Sequence, residues 1–485
     1  MTLLAAAGLV VGVLAILIGL AVFCLRNHPF SLERFRPQLE EILSDGIAPL
    51  HATVSNLSAT RLRWSGIEII ARDVRLLSDD GHIWVYFNHI SFRAPLSAIL
   101  SPRSLETFTG PWLFSEAMVD ALSPQSPFEG LHGIATNTDV GLRFDVAGGR
   151  FGRTNIDSGK ILISEVRGKN GRRTRAEISF HAKTAASDAL NILSKTPFEL
   201  MEPEALPAGP VQGEVEATVE LAFAFDELPQ MIHNTRAEVR DLRVPNAIGG
   251  LDLSKGFFDI TVSNDTATVE GTARLGGVPA TLRYSTPAKP KPETMVMQSA
   301  DIGALIAAVN ISGRLDGGSL AMKLERCHDD EPWSGLVEVG TTRVLQAPLL
   351  TRLLTMASLP GFLSLLSSDG LTIDHARTEI AIESGRISCR SIRISIDQLE
   401  ITGHVNIALD SGHIEGEGLL IPAASLQRLV GTVPILGAFF EGIGKKNTPI
   451  VATRFTLSGP PSNPEITVFP VSSLAPDILR DLGLV

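Results

Sequence analysis

Along most of this chain apolar and polar side chains alternate one by one, and the alternation restarts after each turn. Between Leu371 and Leu420, Ala376, Thr378, Ile380 and Ile382 alternate with Arg377, Glu379 and Glu383 up to a turn at Ser384-Gly385. Ile392, Ile394 and Ile396 then alternate with Arg393, Ser395 and Asp397. Leu399, Ile401, Val405, Ile407 and Leu409 alternate with Glu400, Thr402, His404 and Asn406, and Asp410-Ser411-Gly412 closes the run. Strand side chains point to opposite faces with period two, so each run predicts a strand with one apolar and one hydrated row.

The same grammar fills the rest of the chain. Strands are predicted over His51–Leu57, over Gly66–Leu77 with a turn at Asp79-Asp80-Gly81, and over His82–Phe92. Val211, Val215, Ala217, Val219, Leu221 and Phe223 form one row, opposite Gln212, Glu214, Glu216, Thr218 and Glu220. Phe258, Ile260 and Val262 lead to Asn264-Asp265, Val269, Ala273 and Leu275 lead to Gly276-Gly277, and Val278, Ala280, Leu282 and Tyr284 continue the ladder. Pro203–Pro210 and Pro287–Pro292 read as loops or linkers. No fixed-length repeat is present; the recurring unit is a strand and a turn.

Helical spacing is confined to a few places. From Leu3 to Leu25 the chain carries no charge, and a helix of that length, about 35 Å, crosses a hydrocarbon core of about 30 Å. An uncleaved anchor is favoured over a signal peptide, because there is no basic leader and no A-x-A site before Arg26-Asn27-His28. Cys24 as a lipoprotein site is disfavoured by the bulky Phe23. Phe30–Leu50 predicts a juxtamembrane helix with Ser31 as N-cap and Pro37 in its first turn. Pro95–Leu100 predicts one helical turn. Leu345, Leu349, Leu350, Leu353, Leu354 and Ala357 share a helical face before Pro360-Gly361, followed by an apolar cluster at Phe362, Leu363, Leu365 and Leu366. That helix either caps a core or seals an apolar sheet or touches a membrane.

Composition narrows the function classes. The 485 residues exceed a single core, and 43 Gly with 29 Pro suit many short strands and turns. A net charge of -11 gives no basis for gripping a nucleic-acid backbone. Cys24, Cys327 and Cys389 form neither a disulfide framework nor a metal knuckle. Cys327-His328-Asp329-Asp330-Glu331 before Pro332 reads as a solvated turn rather than a metal site. No HExxH, GxSxG, P-loop or strand-to-helix GxGxxG occurs, and the acids alternate outward, so no catalytic residue, cofactor or metal is expected.

The N-terminal anchor, the strands around IEIIARDVRLLSDDGHIWVYFNHISF, PLSAIL and GPWLF resemble the start of AsmA-like envelope proteins of Gram-negative bacteria. The C-terminal region resembles that family more specifically. An apolar helix pair precedes the ladder, followed by Pro422, Gly431, Pro434-Ile435-Leu436-Gly437, Phe455, Ser458-Gly459-Pro460, Asn463-Pro464 and a tail with Pro470 and Leu474-Ala475-Pro476. The likeness covers about Trp333 to Leu482, and Leu3 to Phe114 more loosely; Ala424 and Gln427 depart from it, where the family often has tyrosine and asparagine. Gly459-Pro460 and Asn463-Pro464 are turns, and Ala475–Leu482 is a short last helix started by Pro476.

The resemblance implies a mainly β chain: a long, curled antiparallel sheet or β-groove, an N-terminal transmembrane helix, and short amphipathic helices near the C-terminus. The expected segments are an anchor over 1–27, a β-groove region over 28–332 and an AsmA-like region over 333–485. The family likeness implies a single-pass inner-membrane protein with its body in the periplasm, although Arg26, Arg34 and Arg36 by the positive-inside rule favour the cytoplasm. It implies phospholipid as the partner, moved between inner and outer membranes, with an outer-membrane or periplasmic protein as a further partner. No enzymatic activity is expected. The expected lining is Val219, Leu221, Phe223, Val269, Leu282, Ile401, Val405, Ile407 and Leu409. The alternative is a non-transporting scaffold or regulator of outer-membrane assembly whose sheet packs on itself.

Overall fold

The computed structural model describes residues 30–46, 51–63, 66–78, 81–94, 111–120, 127–168, 171–195, 209–224, 231–288, 290–309, 314–328, 331–346, 348–356, 371–383, 385–396, 399–409, 411–422, 452–460 and 464–471. The expected span Leu3–Leu25, the turn Pro95–Leu100, the cluster Phe362–Leu366, the last helix and Pro434, Leu436, Gly437 and Pro476 lie outside them. Of the described residues 75% are in strands and 10% in helices, a mainly β structure, as the alternation requires. Two compact units form, one from Met1–Leu206 with Glu214–Glu238 and the other from Pro207–Gly213 with Val239–Val485.

The first unit is an antiparallel meander of β1 (Phe30–Ser31), β2 (His51–Arg63), β3 (Gly66–Leu77), β4 (Ile83–Ala94), β5 (Trp112–Val119), β6 (Phe128–Thr138), β7 (Gly141–Phe151), β8 (Thr154–Gly168), β9 (Gly171–Ala185) and β10 (Gln212–Ala224). Each strand pairs with the next. Helix α1 (Arg36–Gly46) follows a short 3-10 turn at Glu33–Phe35, and α2 (Ala186–Lys195) follows β9. Ser31, expected as a helix cap, sits in β1 opposite Ser58, and its Oγ accepts the Glu33 N–H at 3.4 Å.

The first strand edge of this unit is sealed by side chains. Glu33 Oε1 accepts the Leu57 N–H at 2.9 Å, Glu40 Oε1 accepts the Val54 N–H at 2.7 Å, and Ser44 Oγ accepts the Ala52 N–H at 2.9 Å. An open row of N–H groups invites pairing with another chain, and these acceptors from α1 and its lead-in close it. The same helix turns Leu39 and Leu43 onto the apolar face of the sheet.

In the second unit β11 (Ile232–Ile248), within which the division between the units falls, is followed by β12 (Leu251–Ser263), β13 (Ala267–Leu275), β14 (Val278–Thr286), β15 (Glu293–Ser299), α3 (Ile302–Ala308), β16 (Arg314–Asp316), β17 (Leu320–Arg326), β18 (Trp333–Val339), β19 (Thr342–Gln346) and α4 (Pro348–Met356). β20 (Leu371–Glu383), β21 (Arg386–Ile396), β22 (Leu399–Ala408), β23 (Ile414–Pro422), β24 (Ala452–Gly459) and β25 (Glu465–Val471) complete it. From β12 onward neighbours pair antiparallel except around β16: β15 pairs with β17, β16 pairs with β19, and β20 pairs with both β18 and β19. The expected boundary at 333 falls between β17 and β18, which pair along Leu320–Glu325. Gly276 and Gly277, with φ of 54° and 88°, make the tight β13–β14 turn that only residues free to take positive φ accept readily. Leu345, expected in the helix before Pro360, belongs to β19, and α4 begins at Pro348, where the missing N–H is harmless.

Register explains why the apolar side stays on one face. In β21 the apolar positions change from odd (Ile387, Cys389) to even (Ile392, Ile394, Ile396), and a bulge at Ser391, with φ of 51°, shifts the register between Cys389 and Ile392. β12 repeats this: Leu251 and Leu253 are odd, Phe258, Ile260 and Val262 even, and Lys255 carries a φ of 50° at the shift. A one-residue slip turns a strand over, so the extra residue returns the apolar row to its face. Replacing Ser391 with Gly should raise the urea midpoint slightly, by relief of about 1 kcal/mol of left-handed strain. Deleting Ser391 should lower it severely, because Ile387 and Cys389 then oppose the apolar face; equal midpoints for wild type and deletion would contradict this register.

Candidate functional site

The first unit presents an apolar face that is filled. Reading across β2 to β10, Leu57, Ala71, Ile90, Phe114, Gly133, Val146, Gly159, Phe180 and Val219 stand in one row. Phe87, Phe114 and Phe144 meet at ring-centroid distances of 5.8 to 6.2 Å, in stacked and edge-on geometries that favour aromatic contact. The Phe180 ring lies over Gly159, where any side chain would collide with it. Leu39 and Leu43 of α1 close over the face. The cavity left between them and Phe87, Phe114 and Phe144 is about 80 Å³ and its lining is wholly apolar. That is smaller than the roughly 150 Å³ cavity that takes up one benzene, so this face behaves as a core. Val219, Leu221 and Phe223 belong to it, with Leu221 and Phe223 fully buried.

The second unit presents an apolar face that is half open. Its central row runs Ile260, Val269, Tyr284, Met295, Leu324, Gly335, Ile380, Cys389, Val405, Gly416, Leu457 and Ile466 from β12 to β25. At about 4.8 Å per strand the row covers roughly 50 Å of sheet. Burial varies along the strands as well as across them. Leu275, Ala273, Ala280 and Leu320, at the end where α3 packs its buried Ile302 and Leu305, are buried. Two residues further along, Leu282, Met297 and Met322 are half-buried, as are Tyr284 and Met295 beyond them, while Leu324, paired with Met295, is buried. The far end of the face is marked by Glu293, Arg326 and Trp333.

Toward the C-terminus the face closes again. α4 drives Leu353 and Leu354 into a core with Leu371, Ile396, Leu399, Leu420, Phe455 and Ile466, and Arg352 Nη1 donates to the Pro464 carbonyl at 3.3 Å. Ile401 and Val405 pack against that core while remaining half-buried. Here even the opposite face is buried: Thr402 and Leu419, paired with each other on the row expected to be hydrated, are almost wholly inaccessible.

The nine expected lining residues therefore do not form one site. Val219, Leu221 and Phe223 lie in the first unit's core face. Val269 and Leu282 lie on the half-open part of the second unit's face, with Ile401, Val405 and Ile407 further along it near α4. Leu409 lies in the turn after β22 and is 53% exposed. Of the C-terminal motif, Gly459 (φ 112°) and Pro460 end β24, Pro464 is buried just before β25, and Pro470 lies within β25. Cys327 and His328 lie in an exposed turn with His328 Nδ1 3.1 Å from Glu331 Oε1. A wider concavity of about 680 Å³ has a mixed lining, with Lys255, Thr272, Arg274, Thr281 and Gln298 beside Ala273, Ala280 and Leu320. Among the described residues no group of three or more metal-ligating side chains occurs, and no helix is long and apolar enough to cross a membrane.

Missed in the sequence were the methionines. Met297 pairs with both Leu282 and Met322, and Met295 pairs with Tyr284 and Leu324, so three flexible, polarizable thioethers share the open part of the face. Comparison with family models, with curated proteins and with solved structures gave no match.

Cys389 offers a reporter on this face. Burial pushes its thiol above the ordinary thiol range, because the thiolate is poorly solvated there. A maleimide should react with exposed Cys327 well before Cys389 at neutral pH, and the Cys389 rate should keep climbing as pH is raised past the usual thiol range. Equal rates at the two cysteines, read by peptide mass spectrometry, would place Cys389 in water.

Proposed function

We propose that this chain is a membrane-anchored envelope protein that carries phospholipid along the half-open apolar face of its second unit, between inner and outer membranes. In this reading Leu3–Leu25 anchors the chain in the inner membrane, the body lies in the periplasm, and the sheet curls so that its apolar side lines a groove. The observation that carries it is the half-buried apolar patch of Leu282, Tyr284, Met295, Met297 and Met322 on β14 to β17, bordered by Ala280 and Leu320, buried beside α3, and by buried Leu324.

The energetics favour such a surface. A sixteen-carbon chain crossing water loses about 0.8 kcal/mol per CH₂, or roughly 12 kcal/mol. An apolar face continuous from strand to strand removes most of that barrier and requires no catalytic group. The resemblance to AsmA-like proteins supplies the two membranes between which the lipid moves. A second reading, a scaffold with packed sheets, is favoured by the first unit, where the cavity beneath α1 is too small for a lipid chain. The two readings combine without conflict: the first unit is the closed support and the second is the path.

Charge placement separates path from core. Ile401 and Val405 border the α4 core, so Leu282 and Met297 are the cleaner positions. Leu282→Asp and Met297→Asp should leave protein abundance near normal while abolishing lipid-dependent envelope function and lipid photo-crosslinking at neighbouring positions. Leu354→Asp, at a wholly buried site, should lose several kcal/mol and disappear by degradation. Loss of all three proteins alike would make the β13 to β17 face an ordinary core.

Topology is checked separately. A periplasm-active reporter fused after Val485 should work, and a cytoplasm-only reporter at the same place should be silent; the reverse pattern would sink the periplasmic body.

A further inference from the structure

The open end of the second unit's apolar face carries a cluster whose chemistry differs from everything beneath it. Glu293 of β15 stands directly opposite Arg326 of β17, in the same side-chain column as Met295 and Leu324, so both charges sit on the apolar side. Arg326 Nη2 and Nε donate to Glu293 Oε2 at 2.8 and 3.3 Å. The guanidinium carbon lies 4.9 Å from the centroid of the Trp333 ring, a cation–π distance. Tyr284 joins from β14, 6.4 Å from Trp333 between ring centroids, and its hydroxyl accepts from Thr286 Oγ1 at 3.0 Å. Trp333 in turn faces Ile382 of β20.

Three physical points make this more than an ion pair on a surface. Charges are avoided on an apolar sheet face because each loses hydration, yet here both members are only 23% and 19% exposed. Tryptophan and tyrosine, with an apolar ring and a polar tip, belong where hydrocarbon meets water; Trp333 stands at the depth of the pair, and Tyr284 stands one step below it in the row of Met295. Met295 stands in that same lower row, with Met297 and Leu282 a further step down, and these side chains suit a disordered hydrocarbon chain.

We infer that the Glu293–Arg326 pair, held by Trp333 and Tyr284, is a recognition site for a zwitterionic phospholipid headgroup of the phosphoethanolamine type. The inference rests on the lipid-carrying reading above and adds the class of lipid. The headgroup lies across the pair, its phosphate oxygens accepting from the Arg326 guanidinium and its ammonium donating to the Glu293 carboxylate, while its tails enter over Met295 and Leu282. Charge complementarity selects the occupant: the two-sign headgroup matches a two-sign site, whereas an anionic glycerol headgroup supplies no ammonium and meets the Glu293 carboxylate with like charge.

The test uses the purified full-length chain equilibrated with vesicles containing equimolar dioleoyl phosphatidylethanolamine and dioleoyl phosphatidylglycerol, followed by extraction and mass-spectrometric counting of bound lipid. Wild type should hold the ethanolamine lipid in roughly fivefold excess. Glu293→Gln, which leaves the cation, should shift the preference to the glycerol lipid. The double variant Glu293→Gln/Arg326→Gln, which keeps volume and removes both charges, should bind the two lipids equally with total lipid unchanged. Undiminished ethanolamine preference in the double variant, or no preference in wild type with lipid bound, overturns the headgroup site and leaves the lipid path standing. No lipid bound by wild type overturns both.

Discussion

Everything in this chain depends on keeping apolar side chains on one face of an antiparallel sheet. A strand turns over with every one-residue slip, so a meander of this length accumulates many opportunities to turn its apolar row to the wrong side. The chain corrects its phase at bulges. Ser391 and Lys255 sit at such corrections with left-handed backbone, and β8 shows the same device, its apolar positions passing from Ile156 to Ile161 and Ile163 across a register shift. The strain of a non-glycine residue in that region, of order 1 kcal/mol, is small beside the loss of a strand's apolar contacts.

Once all apolar side chains share a face, the remaining question is what lies over them. In the first unit aromatic rings and α1 fill the space until only a small cavity is left. At the C-terminal end of the second unit α4 does the same with Leu353 and Leu354. Between α3 and Trp333 the second unit instead carries three methionines with Leu282 and Tyr284, all half-buried, beside buried Leu324. That contrast within one chain is why the lipid path is assigned to the stretch from β13 to β18, and why an ion pair at its end invites a chemical reading.

Much of the fold was legible in residue order. The hairpin of β3 and β4, closed around Gly81, and the β13–β14 hairpin at Gly276-Gly277 follow directly from alternation and turn residues. The phase changes were passed over, although Leu371 and Ile373 are followed by Ala376, Thr378 and Ile380, where β20 shifts register. The short helix α3 was missed, although Asp301 caps it by accepting the Ala304 N–H at 2.9 Å and Ile302 and Leu305 stand one turn apart. Burial was not legible. Alternation gives Leu221 and Leu282 the same status, yet one lies in a core and the other on a half-open face, because burial is decided by elements remote in sequence. Glu293, Arg326, Trp333 and Tyr284 were passed over for the same reason. They meet only through the pairing of β14, β15, β17, β18 and β20.

The central claim is that the second unit's open face is occupied by lipid in the working protein. The most direct measurement is quantitative mass spectrometry of lipid that remains with the full-length chain after purification and exhaustive washing in lipid-free detergent. Glycerophospholipid should be retained at a reproducible ratio, and that ratio should fall when Met297 is replaced by Asp but stay unchanged when Thr281, on the hydrated face, is replaced by Asp. Lipid absent from the washed wild-type protein, or retained equally by both variants, would contradict the account.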